Sequence, residues 1–233
     1  MFSIPKIIHQ IWSGKHKPLP DTFKELGETW KKLHPDWDYH YWNEGEMLSF
    51  VKNYYPEYLN LYQSFHYDIQ RWDVIRYLIL HKMGGMYVDF DYECLENIQP
   101  LLKGRTCVFA LEPDIHAKIF GKSLVFNNAL MASIPGHKFI KKAIECVFSE
   151  KTQKYDITSD KREYVLNTTG PWMLGELYNT FKDKKSIYLI PAKFVSPFNK
   201  MEAEAVMNGD KSEYLEEKLQ EAYAVHYFLG TWL

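Results

Sequence analysis

Two aspartates two residues apart, Asp89 and Asp91, follow a helix-like run and a Gly84-Gly85 pair in the segment YDIQRWDVIRYLILHKMGGMYVDFDYE. Side chains alternate along a strand, so Tyr87, Asp89 and Asp91 share one face, with the aspartate Cα atoms about 6.5–7 Å apart. Carboxylates so placed repel each other unless a metal or a basic group compensates, or one takes up a proton. Magnesium and manganese suit such oxygen ligands, take one or two carboxylates, and fill their other positions with water and substrate phosphate. Upstream, stepping residues at 100° from Ile69 brings Asp73 and Arg76 into the apolar sector of a helix that also holds Leu80 and Met83. Buried charges need partners. Three residues apart, these two can pair, and the guanidinium keeps donors for a sugar hydroxyl or a phosphate. The plain alternatives are a structural ion pair and a solvated turn at a strand end.

The elements that must position these groups follow from periodicity and punctuation. Strands are expected at Lys6–Trp12, Trp37–Trp42, Met86–Asp91, Thr106–Leu111, Leu124–Met131, Ile187–Ile190 and Tyr223–Phe228. Helices are expected from Asp21 to about Leu33, then at Glu44–Asn53, Pro56–Phe65, Asp68–Lys82, Gly136–Phe148 and from Pro171 to Phe181. The polar stretch Ser149–Lys161 reads as a loop. This alternation argues for an α/β architecture with helices covering a mostly parallel sheet, organised as one domain over residues 1–233. Open sheets of this kind bind ligands beyond the C-terminal ends of their strands, where Trp12 and the Asp89/Asp91 pair would converge. Neither a GxxxxGK loop nor a GxGxxG turn follows the first strand, so a phosphate there would be held by metal and side chains.

Composition narrows the function classes. The 233 residues carry a formal net charge of -2, which offers no broad attraction to nucleic acid. No stretch reaches the ~18–20 apolar residues of a membrane span, and the N-terminus lacks a signal-peptide pattern, so a cytoplasmic protein is expected. Cys94, Cys107 and Cys146 are odd in number and widely spaced, as buried thiols would be. Aromatics are dense between Trp12 and Tyr67; the stripe Phe23, Leu26, Trp30, Leu33 has the spacing of a helix core face. Asp89 and Asp91 are neighbours on one strand, which is a cation-binding layout. A glycosidase instead needs two carboxyls flanking one bond. A haloacid-dehalogenase-type phosphatase expects Thr or Val where Glu93 stands.

The combination IIHQIW, DVIRYLILHKMGGMYVDFD, NNALMASIPGH and AVHYFLGTW resembles glycosyltransferase family 32 across nearly the whole chain. That family includes bacterial capsular-polysaccharide transferases and fungal initiating mannosyltransferases and is related to the clostridial glucosylating toxins. The resemblance implies a GT-A fold with a Rossmann-like sheet, a nucleotide-sugar donor, a divalent cation (Mn2+ or Mg2+) and retention of anomeric configuration. It implies that Trp12 stacks on the nucleobase, that Asp73 accepts from donor-sugar hydroxyls while Arg76 contacts the sugar or diphosphate, that Tyr87 lies near the ribose or phosphate and Asp89 near ribose and sugar, and that Asp91 ligates the metal. It further makes His226 a second metal ligand, places Asn127 and Asn128 near a sugar, places Gly170-Pro171 at an acceptor-side turn, and closes Thr231 and Trp232 over the diphosphate. The expected reaction transfers galactose or glucose from a UDP-sugar, or mannose from GDP-mannose in the alternative reading, onto a saccharide acceptor in polysaccharide biosynthesis. A lipid-linked acceptor and peripheral association with the inner membrane surface are the accompanying expectations. A non-catalytic carbohydrate-binding module is the competing reading. It would not require Asp89, Asp91 and His226 together.

Overall fold

The computed structural model describes residues 3–156 and 160–230. A six-stranded sheet runs in the order β2-β1-β3-β6-β5-β7, built from β1 (Ile7–Ile11), β2 (Asp38–Trp42), β3 (Gly85–Val88), β5 (Cys107–Leu111), β6 (Phe126–Ser133) and β7 (Tyr188–Ile190). Strand β6 pairs antiparallel with β3 and β5; the β1/β2, β1/β3 and β5/β7 pairings are parallel. A second, two-stranded sheet joins β4 (Tyr92–Cys94) to β8 (Ala224–His226) in antiparallel register.

The alternation read in the sequence carries the two sides of the core. Met86 and Val88 face a cluster with Ile8, Trp30, Val108 and Ala132, whereas Tyr87 faces the opposite cluster with Tyr77, Phe109 and Met131. Helix Asp68–Met83 lies in that second cluster together with Phe139, Ile140, Ala143, Ile144 and Val147 of helix Lys138–Val147. In helix Asp21–Leu33, Phe23, Leu26 and Trp30 are buried as their spacing predicts. Cys94 and Cys107 are buried free thiols and Cys146 is half-buried. The stretch expected to be a loop after Ser149 carries a short helix, Glu150–Gln153. Among the described residues, no helix is long and apolar enough to cross a membrane.

The Gly84-Gly85 turn is dictated by space. Gly84 has φ +69 and Gly85 φ +95, and a Cβ on Gly85 would stand 2.7 Å from the carbonyl oxygen of Ile7. A side chain there would collide with β1, and the left-handed backbone would be strained. His9, buried in β1, clasps this turn: its Nε2 donates to the Gly84 carbonyl at 2.9 Å while its Nδ1 accepts from Trp42 Nε1 at 3.2 Å. Burial lowers its pKa to about 4, so the ring stays neutral.

The structure also corrects a strand boundary. The strand expected to run through Asp91 ends at Val88, and Asp89, Phe90 and Asp91 form a turn closed by the Tyr92 N–H on the Asp89 carbonyl at 3.3 Å. Phe90 drives it: its ring is buried against helix Asp21–Leu33, where Gly27 makes room, since a Cβ on that glycine would stand 3.0 Å from the ring. The chain then enters β4 and a different sheet. Asp89 and Asp91 therefore do not share a strand face.

Candidate active site

Each aspartate of the turn has its own partners. Asp89 is gripped by Arg76: Nη1 lies 3.4 Å from Oδ2 and Nη2 lies 3.4 Å from Oδ1. The Tyr87 hydroxyl donates to the same carboxylate, and the guanidinium lies 4.7 Å from the centre of the Tyr87 ring. Arg76 spends further donors on the carbonyls of Trp72 (3.2 Å) and Asn128 (3.2 Å). Few of its donors remain for a substrate, fewer than the sequence alone suggests. Burial works against the cation, but Asp89, Tyr87 and Asp73 more than offset it and raise the Arg76 pKa. Burial likewise pushes the Asp89 carboxyl up, against the opposing pull of Arg76.

Asp73, one turn before Arg76 and 3.8 Å from it, is fully packed. Its two oxygens accept from Asn128 Nδ2 at 2.9 Å and Thr169 Oγ1 at 3.0 Å. Burial pushes its pKa up to about 6, with Arg76 and these donors pulling the other way. The pair thus works as a structural ion pair and as part of the cavity wall at once. Asn128 reaches Asp73 because β6 bulges: Phe109 pairs with Met131, yet Ala110 pairs with Asn127.

Asp91 belongs to a different cluster. The register Tyr92↔His226 between β4 and β8 sets His226 Nε2 3.3 Å from Asp91 Oδ1, with the His226 and Tyr92 rings stacked 4.4 Å apart. Phe228, with φ +52, turns the chain so that the Leu229 N–H donates to Asp91 Oδ2 at 3.0 Å. A non-glycine residue held left-handed marks a place where the surroundings dictate the backbone. Burial would raise the Asp91 pKa; His226 and the Leu229 N–H overcome it and hold the carboxyl below its ordinary range. Conversely, burial lowers the proton affinity of His226, and the adjacent Asp91 carboxylate raises it overall.

These groups line one cavity of about 500 Å³. Trp12 and Phe23, ring centroids 5.4 Å apart and edge to face, line it together with Phe90. The loop after β1 is fastened there: Trp12 Nε1 donates to the Lys17 carbonyl at 2.9 Å, and Asp68 at the start of the long helix accepts from Lys15 at 2.9 Å and pairs with His16 at 2.7 Å. Asp73, Arg76, Tyr87, Asp89, Asp91, Asn127, Asn128 and His226 all reach the same cavity. Thr231 and Trp232 lie outside the described residues. Gly170 and Pro171 initiate helix Pro171–Thr180, and Pro171 lines the cavity wall.

The chemistry of the Asp91–His226 pair suits a divalent cation. Asp91 Oδ1 and His226 Nε2 lie 3.3 Å apart, so a carboxylate and an imidazole nitrogen are at hand to hold such a cation, which diphosphate oxygens and water would also ligate. Among the described residues, no group of three or more His, Cys, Asp or Glu side chains converges. Asn127 controls the proton on that imidazole. Its Oδ1 accepts from the Ala129 N–H at 3.0 Å, which turns Nδ2 to His226 Nδ1 at 3.0 Å and to the Tyr92 hydroxyl at 3.0 Å. With Nδ1 accepting, the ring proton sits on Nε2 toward Asp91. Ligation through Nε2 requires that proton on Nδ1 and Asn127 Oδ1 turned toward it.

Solved structures share this arrangement of strands and helices. The ligand-free glycosyltransferase domain from the YGT toxin superposes with a TM-score of 0.59 at 10% identity, covering 93% of this chain and 89% of that one. The PaToxG glycosyltransferase gives a TM-score of 0.55 at 16% identity, with 95% and 89% covered. The fold is GT-A.

In sequence, the family described as "Glycosyltransferase sugar-binding region containing DXD motif" matches residues 20–108 of this GT-A chain. Mannosyl phosphorylinositol ceramide synthase SUR1 of Saccharomyces cerevisiae is 32% identical over 179 residues, 77% of this chain and 43% of that protein. Inositol phosphoceramide mannosyltransferase 3 of Schizosaccharomyces pombe is 36% identical over 142 residues, 61% of this chain and 36% of that protein. Uncharacterized glycosyltransferase L373 of Acanthamoeba polyphaga mimivirus is 27% identical over 200 residues, covering 84% of this chain and 74% of the viral protein. The chain spans less than half the length of the two fungal relatives. On the GT-A frame, sequence reasoning missed Thr169, Glu112, His116, Phe120 and Trp172. No local pattern marks these residues: Thr169 is revealed only by its hydrogen bond to Asp73, and the other four only by their convergence on the cavity.

Proposed function

We propose that this chain is a metal-dependent, retaining glycosyltransferase of the family 32 type that moves mannose from GDP-mannose to a hydroxyl of a saccharide or polyol acceptor. The observation that carries the reading is the joining, in one GT-A cavity, of the Asp73–Arg76–Asp89 cluster with the Asp91–His226 pair. The mannosyltransferase names of the fungal relatives favour mannose over the galactose or glucose expected from sequence. Trp12 would stack on the base, the Asp91–His226 pair would hold Mn2+ or Mg2+ on the diphosphate, and Asp73 would accept from sugar hydroxyls. A divalent cation bound there supplies positive charge that stabilises the departing diphosphate.

Arg76 serves by fixing both acids in place, so that the cavity wall is arranged before the donor arrives. No side chain stands out as a covalent nucleophile. In the front-face reaction, the acceptor oxygen bonds to the anomeric carbon as the bond from that carbon to the diphosphate oxygen breaks. The electron pair leaves with the diphosphate, which also takes the hydroxyl proton. Alignment of the two substrates then contributes much of the gain.

A panel of GDP-mannose, UDP-glucose and UDP-galactose, with manganese or with EDTA and read as sugar release in the absence of acceptor, tests each part. GDP-mannose should be hydrolysed fastest and EDTA should stop it. Faster turnover of a UDP-hexose overturns the donor assignment, undiminished turnover in EDTA overturns the metal, and inertness toward all three overturns the transferase reading.

A further inference from the structure

Between helix Lys161–Thr168 and helix Pro171–Thr180 the chain turns through Thr169 and Gly170, and Thr168 and Thr169 are fully buried there. Three side chains of helix Asp68–Met83 hold this corner. Gln70 Nε2 donates to Thr168 Oγ1 at 3.0 Å, the Tyr77 hydroxyl donates to the Thr169 carbonyl at 2.7 Å, and Asp73 Oδ2 accepts from Thr169 Oγ1 at 3.0 Å. Positions 70, 73 and 77 follow i, i+3 and i+7 spacing and so share one helix face. The two outer contacts fix the backbone that presents the hydroxyl to the middle one. Thr169 is outside the cavity lining, so any effect it has on a substrate passes through Asp73.

The Thr169 hydroxyl has two acceptors within reach. The Val165 carbonyl, one turn back in its own helix, stands 3.5 Å away and already takes the Thr169 N–H at 3.0 Å. The Asp73 oxygen is nearer and charged, and a charge-assisted hydrogen bond is the stronger of the two. The proton therefore points at Asp73. A carboxylate has about four acceptor sites. Thr169 takes one on Oδ2 and Asn128 one on Oδ1, and Asp73 lines the cavity with its remaining sites available to hydroxyls. Burial opposes the charge on this acid, and so does Asp89; Arg76 and the neutral donors Thr169 and Asn128 favour it. Burial keeps the neighbouring Tyr77 and Tyr87 phenols protonated.

We propose that Thr169 is a positioning residue for recognition of the donor hexose and acts through Asp73: its hydroxyl fixes one carboxylate oxygen so that the open acceptor sites meet the sugar hydroxyls. The inference rests on the transferase reading above and deepens it by naming the group that stands behind the sugar contact.

Steady-state hydrolysis of GDP-mannose with manganese, with GDP as inhibitor, compares the parent chain with Thr169→Val and Thr169→Ser. The valine variant keeps the shape and loses the hydroxyl. Its kcat/KM should fall by about tenfold to a hundredfold, the scale of a hydrogen bond to a charged group, while the inhibition constant of GDP, which carries no sugar, should not change. Thr169→Ser should recover most of the loss. The acid limb of the kcat/KM profile should move to higher pH in Thr169→Val alone, because a carboxylate that has lost a donor keeps its proton to higher pH. An unchanged kcat/KM in Thr169→Val, an equal loss of GDP affinity, an unmoved acid limb, or a serine variant as impaired as the valine one overturns the proposal. Equal loss of GDP affinity would mean that Thr169 only supports the fold. A parent chain that releases no mannose defeats the donor reading itself, whereas an active parent with an indifferent Thr169→Val defeats this inference alone.

Discussion

Asn127 Nδ2 stands 3.0 Å from Nδ1 of His226, and the Ala129 N–H holds the same amide in place from behind. One side chain of a strand bulge thereby decides which nitrogen of the imidazole carries the proton opposite Asp91. Metal ligation through Nε2 calls for the amide to turn over so that Oδ1 accepts from Nδ1–H, and an alanine, which cannot hold the ring in that state, should weaken manganese binding in the presence of nucleotide by about 10–100-fold. Titration of Asn127→Ala followed by manganese paramagnetic resonance measures this. Unchanged affinity would make Asn127 a bulge residue and nothing more.

Asp91→Asn keeps an acceptor for the Leu229 N–H but gives up the anionic ligand. Manganese-stimulated sugar release should fall by about a hundredfold or more, the scale of several kcal/mol of charge stabilisation. The circular dichroism spectrum should remain that of the parent chain. Parent-like kinetics would remove Asp91 from the site.

Trp12 stands nearly perpendicular to Phe23 and lines the cavity, and the loop behind it is pinned by its own Nε1 and by Asp68. Trp12→Leu should raise the nucleotide Kd by about tenfold to a hundredfold, the cost of one base–aromatic stack, and Trp12→Phe should recover part of it. Equal affinity in the leucine variant would leave Trp12 a rim aromatic.

His9 sets an acid limit on stability. Its folded pKa of about 4 lies below the unfolded value of 6.5, so the unfolded chain binds the extra proton between those values. The stability conferred by the neutral ring is full above pH 6.5 and is lost as pH falls toward 4, at most about 3 kcal/mol. Asp73 acts in the opposite sense, since its pKa is raised from 3.8 to about 6. The difference in unfolding free energy between the parent and His9→Gln isolates the histidine. That difference should shrink by about 3 kcal/mol between pH 7 and 4; a pH-independent difference would contradict a neutral His9.

Gly85→Ala places a methyl 2.7 Å from the Ile7 carbonyl oxygen at φ +95. Urea unfolding should show a loss of about 1–3 kcal/mol or more. A variant as stable as the parent would mean that β1 and β3 can separate at no cost.

Much of this arrangement is legible in local sequence because its causes are local. Strand alternation assigned Met86 and Val88 to one side of the core and Tyr87 to the other, and helical spacing buried Phe23, Leu26 and Trp30. The strand end was misplaced at Asp91 because what stops β3 at Val88 is Phe90 packing over Gly27, a contact made from another element.

The residue types and spacing within Asp68–Asp91 determined by themselves that two acids would follow a tight glycine turn and that a buried acid and guanidinium would precede it. Adjacent residues constrain one another through fixed backbone geometry. Only the tertiary structure decided which partner each acid has. Asp73 meets Thr169 at a sequence separation of 96, Asn128 meets it across 55, and Leu229 meets Asp91 across 138. Such pairings depend on the β4–β8 register and the bulge in β6, and no local periodicity encodes a contact between distant strands.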